Sequence, residues 1–270
     1  MFIINVCKMK KIYTNKRSPY KISTPKYNKM SGLFSVKKYT FPKLLRSRKY
    51  KKFKWQGHSG CVIYISQDSS KILKTDVQRI EIENIISLKK NMSPKYKPFF
   101  LLDYIVYTIN HRHYLEMKYY EANTLRYKKI NTFPKKELQS ILSSIFDVLM
   151  YVNYNLKFML RDLNLNNILY LPNTKHKIKF IDYEALIPLP IKNLMNNHKY
   201  TEIRYFLMIF FSRKPNGYKY LKCRKKKVDH IIEYILQEKQ AINKTPFQRD
   251  TILKQFVIDN VDMFIQLDVE

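Results

Sequence analysis

Three oxygen-bearing side chains carry the chemistry that this sequence could do. In "LRDLNLNNILYL" (160–171), Asp162 is followed five residues later by Asn167, and Asp182 closes "KIKFID" fifteen residues beyond that. "NILYL" and "KIKFID" read as two short strands. Paired as a hairpin, they set Asn167 at the start of the first beside Asp182 at the end of the second. A carboxamide oxygen and a carboxylate meeting there make a hard, all-oxygen site. Such a site suits Mg²⁺, which takes one or two protein ligands and adds phosphate oxygens. Asp162, in the turn before the hairpin, stands at the rim as an acceptor for a substrate hydroxyl proton. Asp and Asn also mark turns for local reasons, and the hairpin alone leaves that reading open.

Phosphate recognition has to come from the N-terminal half. "WQGHSGCVIY" holds Gly57 and Gly60, two of the four glycines in the chain, directly before a strand. Glycines at a strand tip let main-chain N–H groups approach phosphates. Lys74 lies twelve residues after Val62 in the apolar "KILK", where a lone charge needs a partner. Glu81 or Glu83 in the following segment could supply it.

The elements that must position these groups follow from periodicity. "CVIYIS" and "KILKTD" are β-type runs joined by the turn "QDSS". "QRIEIENIISLKK" has helical spacing, and "FFLLDYIVYTI" and "HYLEMKYY" read as strands around "NHRH". After Pro134, apolar residues at Leu138, Ile141, Leu142, Ile145, Leu149 and Val152 predict a long buried helix. Beyond the hairpin, "YTEIRYFLMIFF" and "VDHIIEYILQEKQ" are helical patterns, with "KCRKKK" (222–227) a charge cluster between them. Strand-rich first and helical afterwards, the order predicts an α+β layout of two lobes, hinged near Lys118–Ala122.

Composition bounds the rest. With 45% hydrophobic residues over 270 positions the chain can bury a sizeable core, which excludes wholesale disorder. The net charge of +30 favours acidic partners, nucleic acid or anionic membrane without choosing among them. Heavy use of Lys, Asn, Ile and Tyr also matches the codon drift of an AT-rich genome, which accounts for part of that charge. Residues 1–54 hold 17 Lys and Arg and no acid, the pattern of a solvated basic tail or of an arm for nucleic acid or an anionic surface. Three widely spaced cysteines support neither a disulfide framework nor a zinc site. No run reaches the roughly 18 apolar residues that span a bilayer, and the expected location is intracellular and cytoplasmic.

Taken in order, these segments resemble the eukaryotic-like protein kinase superfamily from about Trp55 to about Phe211. "GHSGCV", with Gly57, Ser59, Gly60 and Val62, is similar to the family's glycine-rich loop, and Lys74 to its strand lysine. Glu81 resembles its helix glutamate, preferred to Glu83 because "EIENIISL" then sets Ile85 and Leu88 four and seven residues on. "YLEMKYYEANTL" looks like the hinge, with Met117 at the gate of an adenine pocket and Tyr119 beside it. "LRDLNLNN" resembles the catalytic loop H-R-D-x-x-x-x-N, and "IDYE" the metal-binding D-F-G.

The resemblance implies an α+β, bilobal protein-kinase-like fold after the 1–54 tail, with a β-rich N-lobe over about 55–118 and a reduced helical C-lobe over about 123–270. It implies transfer of phosphate from ATP, with Mg²⁺, to a protein hydroxyl of the Ser/Thr type. Lys74, oriented by Glu81, would hold the α- and β-phosphates. Asp182 and Asn167 would ligate Mg²⁺, Asp162 would take the acceptor proton, and the backbone of Gly57–Gly60 would cover the phosphates. Glu202 would occupy the place of the helix acid that anchors the catalytic loop.

The departures are specific. Leu160 replaces the loop His, Trp55 the first loop Gly, and Asn164 the Lys that neutralises the transferring phosphate. Tyr183-Glu184 replaces Phe-Gly, which predicts an Asp182 that keeps one state. "ALIPLPIKNLMNNHK" stands in place of an activation loop with no A-P-E, so control by phosphorylation there is not expected. The short C-terminal lobe is similar to those of compact viral or atypical members. Three alternatives stay open: a pseudokinase that only binds, a small-molecule phosphotransferase of kinase-like fold, and a nucleic-acid-binding protein led by its tail.

Overall fold

In the computed structural model, which describes residues 49–56, 62–128, 130–160, 162–189, 202–211, 213–214, 217–220, 222–239, 241 and 243–266, main-chain pairing already begins inside the basic stretch. Lys51–Gln56 (β1) runs antiparallel to Val62–Ile65 (β2), with Lys51 opposite Ile65 and Lys52 opposite Tyr64. Strand pairing needs only backbone partners, so a charge count could not see this edge. The stretch assigned to the tail therefore ends earlier than its composition suggests, and residues 1–48 lie outside the described residues.

The chain divides into two compact units. Among the described residues, one comprises those up to Val77 with Tyr104–Tyr119, and the other Gln78–Asp103 with those from Tyr120 onward. The first is sheet-rich and the second mostly helical. The first unit holds a five-stranded sheet in the order β1-β2-β3-β5-β4, with Lys71–Lys74 as β3, Tyr104–Ile109 as β4 and Arg112–Lys118 as β5. Successive side chains of a strand point to opposite faces. One face therefore gathers Leu73, Tyr107, Ile109 and Tyr114, all buried, with Tyr50 packed among them. On this face Glu116 is buried between Lys71 Nζ at 2.9 Å and Tyr107 Oη at 3.0 Å, a carboxylate kept inside because it is paired and hydrogen-bonded.

The expected strand beginning at Phe99 is shorter than its apolar run. Lys97–Phe99 forms a turn of 3₁₀ helix, Phe100 makes an isolated parallel bridge to Phe180, and the strand itself starts only at Tyr104. Phe100, Leu101 and Leu102 are buried without lying in a named strand, the Leu101 N–H donating to Phe180 O at 3.1 Å. A short buried run does not by itself distinguish a strand from irregular chain.

The second unit starts with Arg79–Asn91 (α1), buried through Ile82, Ile85 and Leu88. Asn123–Thr124 (β6) precedes Lys135–Met150 (α2). Every position of α2 expected in the core is buried, and Phe146, Val148 and Met150 are buried too, so α2 is covered on more than one stripe. Its last turn widens into a π turn at Tyr151–Asn155. Phe158–Leu160 (β7), Ile168–Tyr170 (β8), Ile178–Phe180 (β9) and Leu186–Pro188 (β10) follow, with β8 paired to both β6 and β9, and β10 to β7.

Glu202–Phe211 (α3) carries Phe206 and Phe210, stacked with ring centres 5.3 Å apart, and Phe211 packs on Phe264. After the short pair Arg213–Lys214 (β11) and Gly217–Tyr220 (β12) comes Lys222–Glu238 (α4). The "KCRKKK" cluster is thus the opening of α4 and not a linker. Pro246–Asp259 (α5) and Val261–Gln266 (α6) complete the unit. These two helices were not anticipated from apolar spacing, yet "TPFQ" announces the first. Thr245 and Gln248 form a capping box, with Pro246 in the opening turn. Among the described residues no helix is long and apolar enough to cross a membrane.

Candidate active site

In the first unit, Lys74 ends β3 opposite Leu115, and Ile72 lies opposite Met117. Opposed residues share a face, so Lys74 and Met117 lie on the same side of the sheet, away from the Tyr107 cluster. Lys74 is only 9% exposed and its strand neighbour Leu73 is fully buried. An ammonium so enclosed is retained only where anionic groups meet it, which is the property a phosphate-binding lysine needs. Met117 is buried at the edge where β5 leaves the sheet. Tyr119 continues the ladder, its N–H donating to Ser70 O at 2.9 Å, so that amide is already committed to the strand pair. Val62 opens β2. Gly57, Ser59 and Gly60 lie outside the described residues.

In the second unit the hairpin assembles as the spacing suggests. Ile168 stands opposite Phe180, and the Ile181 N–H donates to Asn167 O at 2.9 Å. The main chains at Asn167 and Asp182 therefore meet at one end of β8–β9. Asn167 Nδ2 donates to Asp162 O at 3.0 Å and to Asp162 Oδ2 at 3.1 Å. Both bonds use the amide nitrogen, leaving Oδ1 as the atom that can face a cation. They also hold the Asp162 carboxylate, and the residue is exposed. Arg161 lies outside the described residues.

Asp182 adopts φ 66°, a left-handed conformation that Asp tolerates better than most residues. Its carboxylate, that of Glu81 in the first turn of α1 and that of Glu184 have oxygens all within 4.8 Å of one another. Three carboxylates so close repel unless a cation or proton lies among them. An all-oxygen set of this kind fits Mg²⁺. From the sequence Glu184 reads only as a lost glycine; its place beside Asp182 and Glu81 needed the fold.

Glu202 supports the loop from below. Its carboxyl is fully buried at the start of α3 and accepts from the Leu160 N–H, while Asn153, on the π turn, donates to Glu202 Oε2 at 2.5 Å and to Phe158 O at 2.9 Å. Burial outweighs those bonds and pushes its pKa up to about 8, with the charge of Asp250 adding to the rise. Asp250 also accepts from Tyr154 Oη at 2.5 Å. Asn164 caps the 3₁₀ turn Leu165–Asn167, its Oδ1 accepting from the Asn166 N–H at 2.7 Å.

No family model and no curated protein matches the sequence. Among solved structures, the fold is similar to the crystal structure of a BubR1 kinase domain, at TM-score 0.43 and 10% identity, over 52% of this chain and 46% of that one. The matched region spans less than half of that chain.

Proposed function

We propose that the chain is an ATP- and Mg²⁺-dependent phosphotransferase of the protein-kinase type acting on a protein hydroxyl. The observation that supports it is the hydrogen-bonded end of the β8–β9 hairpin. There Asn167 fixes the Asp162 carboxylate through its amide nitrogen and shares one strand end with Asp182. In this reading Asp182 and Asn167 hold Mg²⁺, which neutralises charge on the transferring phosphate. Asp162 orients the acceptor hydroxyl and receives its proton, and Lys74 holds the phosphates. Such catalysis is positioning and charge neutralisation more than covalent chemistry. The +30 net charge suits an acidic protein substrate, and three scattered cysteines fit a reducing intracellular compartment.

The test is phosphate incorporation from labelled ATP with Mg²⁺ into a basic and an acidic protein, wild type against Asp182→Ala. A loss of about 10³-fold or more in the variant is expected. Equal incorporation by both proteins would sink the reading. One observation favours a second reading, a nucleotide-binding module without turnover: Asn164 is engaged as a turn cap where a charge would serve transfer. Thermal stabilisation by ATP–Mg²⁺ with no incorporation by wild type would select it.

A further inference from the structure

Asn84 lies three residues after Glu81 on α1 and is buried, at 8% exposure. Its Nδ2 donates to Tyr183 O at 2.7 Å and faces Leu186 O at 3.4 Å and Glu184 O at 3.5 Å. One amide thus gathers three carbonyls of the segment that follows Asp182. The Tyr183 ring is buried beneath it, its centre 6.0 Å from that of Phe100. Tyr183 Oη donates to Phe180 O at 2.6 Å and accepts from the Leu101 N–H at 2.9 Å. The Leu186 N–H returns to Tyr183 O at 3.3 Å, and Leu186 pairs with Leu160 on β7. The residues on both sides of Asp182 are therefore tied at side chain and main chain alike. All these ties come from described residues outside 190–201.

Asp182 itself sits at φ 66°. A non-glycine residue keeps such a backbone only where its surroundings over-determine it. We infer that Asn84 and Tyr183 are positioning residues that clamp the Asp182 carboxylate in its metal-facing orientation, so that the site is assembled without any signal from the activation segment. The inference rests on the phosphotransfer reading for its consequence, and on the hydrogen bonds alone for the clamp. A phenylalanine at 183 could fill the same space but could not tie the ring to Phe180 and Leu101. An apolar residue at 84 would leave the Tyr183 carbonyl without its side-chain donor.

The test uses the full-length chain with Asn84→Leu, a near-isosteric change, and Tyr183→Phe. Losing one buried hydrogen bond should speed amide exchange over residues 181–189 by roughly tenfold relative to the α2 amides. A carboxylate in place for only part of the time lowers apparent metal affinity by that fraction. The KM for Mg²⁺ should therefore rise about tenfold, with kcat at saturating Mg²⁺ within about twofold of wild type. A purely structural role would lower the melting temperature and leave the KM for Mg²⁺ unmoved. Folded variants with wild-type exchange over 181–189, or a lowered kcat with unchanged KM for Mg²⁺, would overturn the clamp. If wild type shows no Asp182-dependent transfer, the phosphotransfer reading falls, and the exchange rates still decide the clamp.

Discussion

Asn164 commits its side-chain oxygen to the main chain, accepting from the Asn166 N–H at 2.7 Å. From the sequence it was a missing cation; in the fold it is the residue that shapes the turn presenting Asn167. The two roles can be separated. Asn164→Asp keeps the acceptor and should leave stability near wild type, whereas Asn164→Ala should cost about 1 kcal/mol by denaturant titration. Equal stability of the two variants would mean the cap is idle. Asp162, Asn167 and Asp182 were legible as a set because their spacing and the turn signals around them are local. Asn84 and Glu184 were not, because an Asn in a helix or a Glu after a strand carries no mark of its partner. Asn84 reaches Tyr183 across 99 residues of chain.

Helix α3 joins the loop that carries Asp162 through Glu202, which accepts from the Leu160 N–H and from the Asn153 amide. The π turn that ends α2 brings Asn153 to it; nothing in "YVNYN" announces that extra residue in the turn. With its pKa raised from 4.5 to about 8 by burial, Glu202 binds its proton more tightly folded than unfolded. Its contribution to stability is therefore complete below about pH 4.5 and is lost as pH rises through about 8. Each tenfold in proton affinity is worth about 1.4 kcal/mol. Glu202→Gln, which cannot ionise, should flatten the decline in unfolding free energy between pH 5 and 8.5, read by chemical denaturation at both. An undiminished decline would place the pH response in another group. At this scale β2 to β5, β8, β9 and α1 to α4 were foreseen, whereas β1, β6, β7, β10 to β12, the 99–103 run, α5 and α6 were not. In α5 Arg249 and Asp250 are buried beside Leu253 and Val257, so its apolar stripe is too thin to reveal the helix.

At the scale of the whole molecule, the basic stretch and the folded units are separable claims. Because β1 begins at Lys51, removing residues 1–48 spares every described sheet pairing. Phosphate incorporation should then persist within about twofold, while any binding to DNA or RNA should weaken and lose its steep dependence on salt. Abolished incorporation in a truncated protein of unchanged melting temperature would tie that stretch to the site. Nucleic-acid binding with an unaltered salt slope would assign it instead to the folded units, whose α4 begins with the "KCRKKK" run.

What the sequence determined by itself was the local layer. It placed the β-then-α order, the buried stripe of α2, and the Asp162–Asn167–Asp182 spacing that a hairpin must bring together, because each of these depends on periodicity or on residues close in the chain. The tertiary structure alone decided which groups support them. It set Glu184 beside Asp182 and Glu81, buried Glu202 beneath the loop, and turned Asn84 onto the Tyr183 carbonyl. Those pairings join residues up to about a hundred positions apart. They arise from burial and packing of whole elements, which residue type and spacing do not encode.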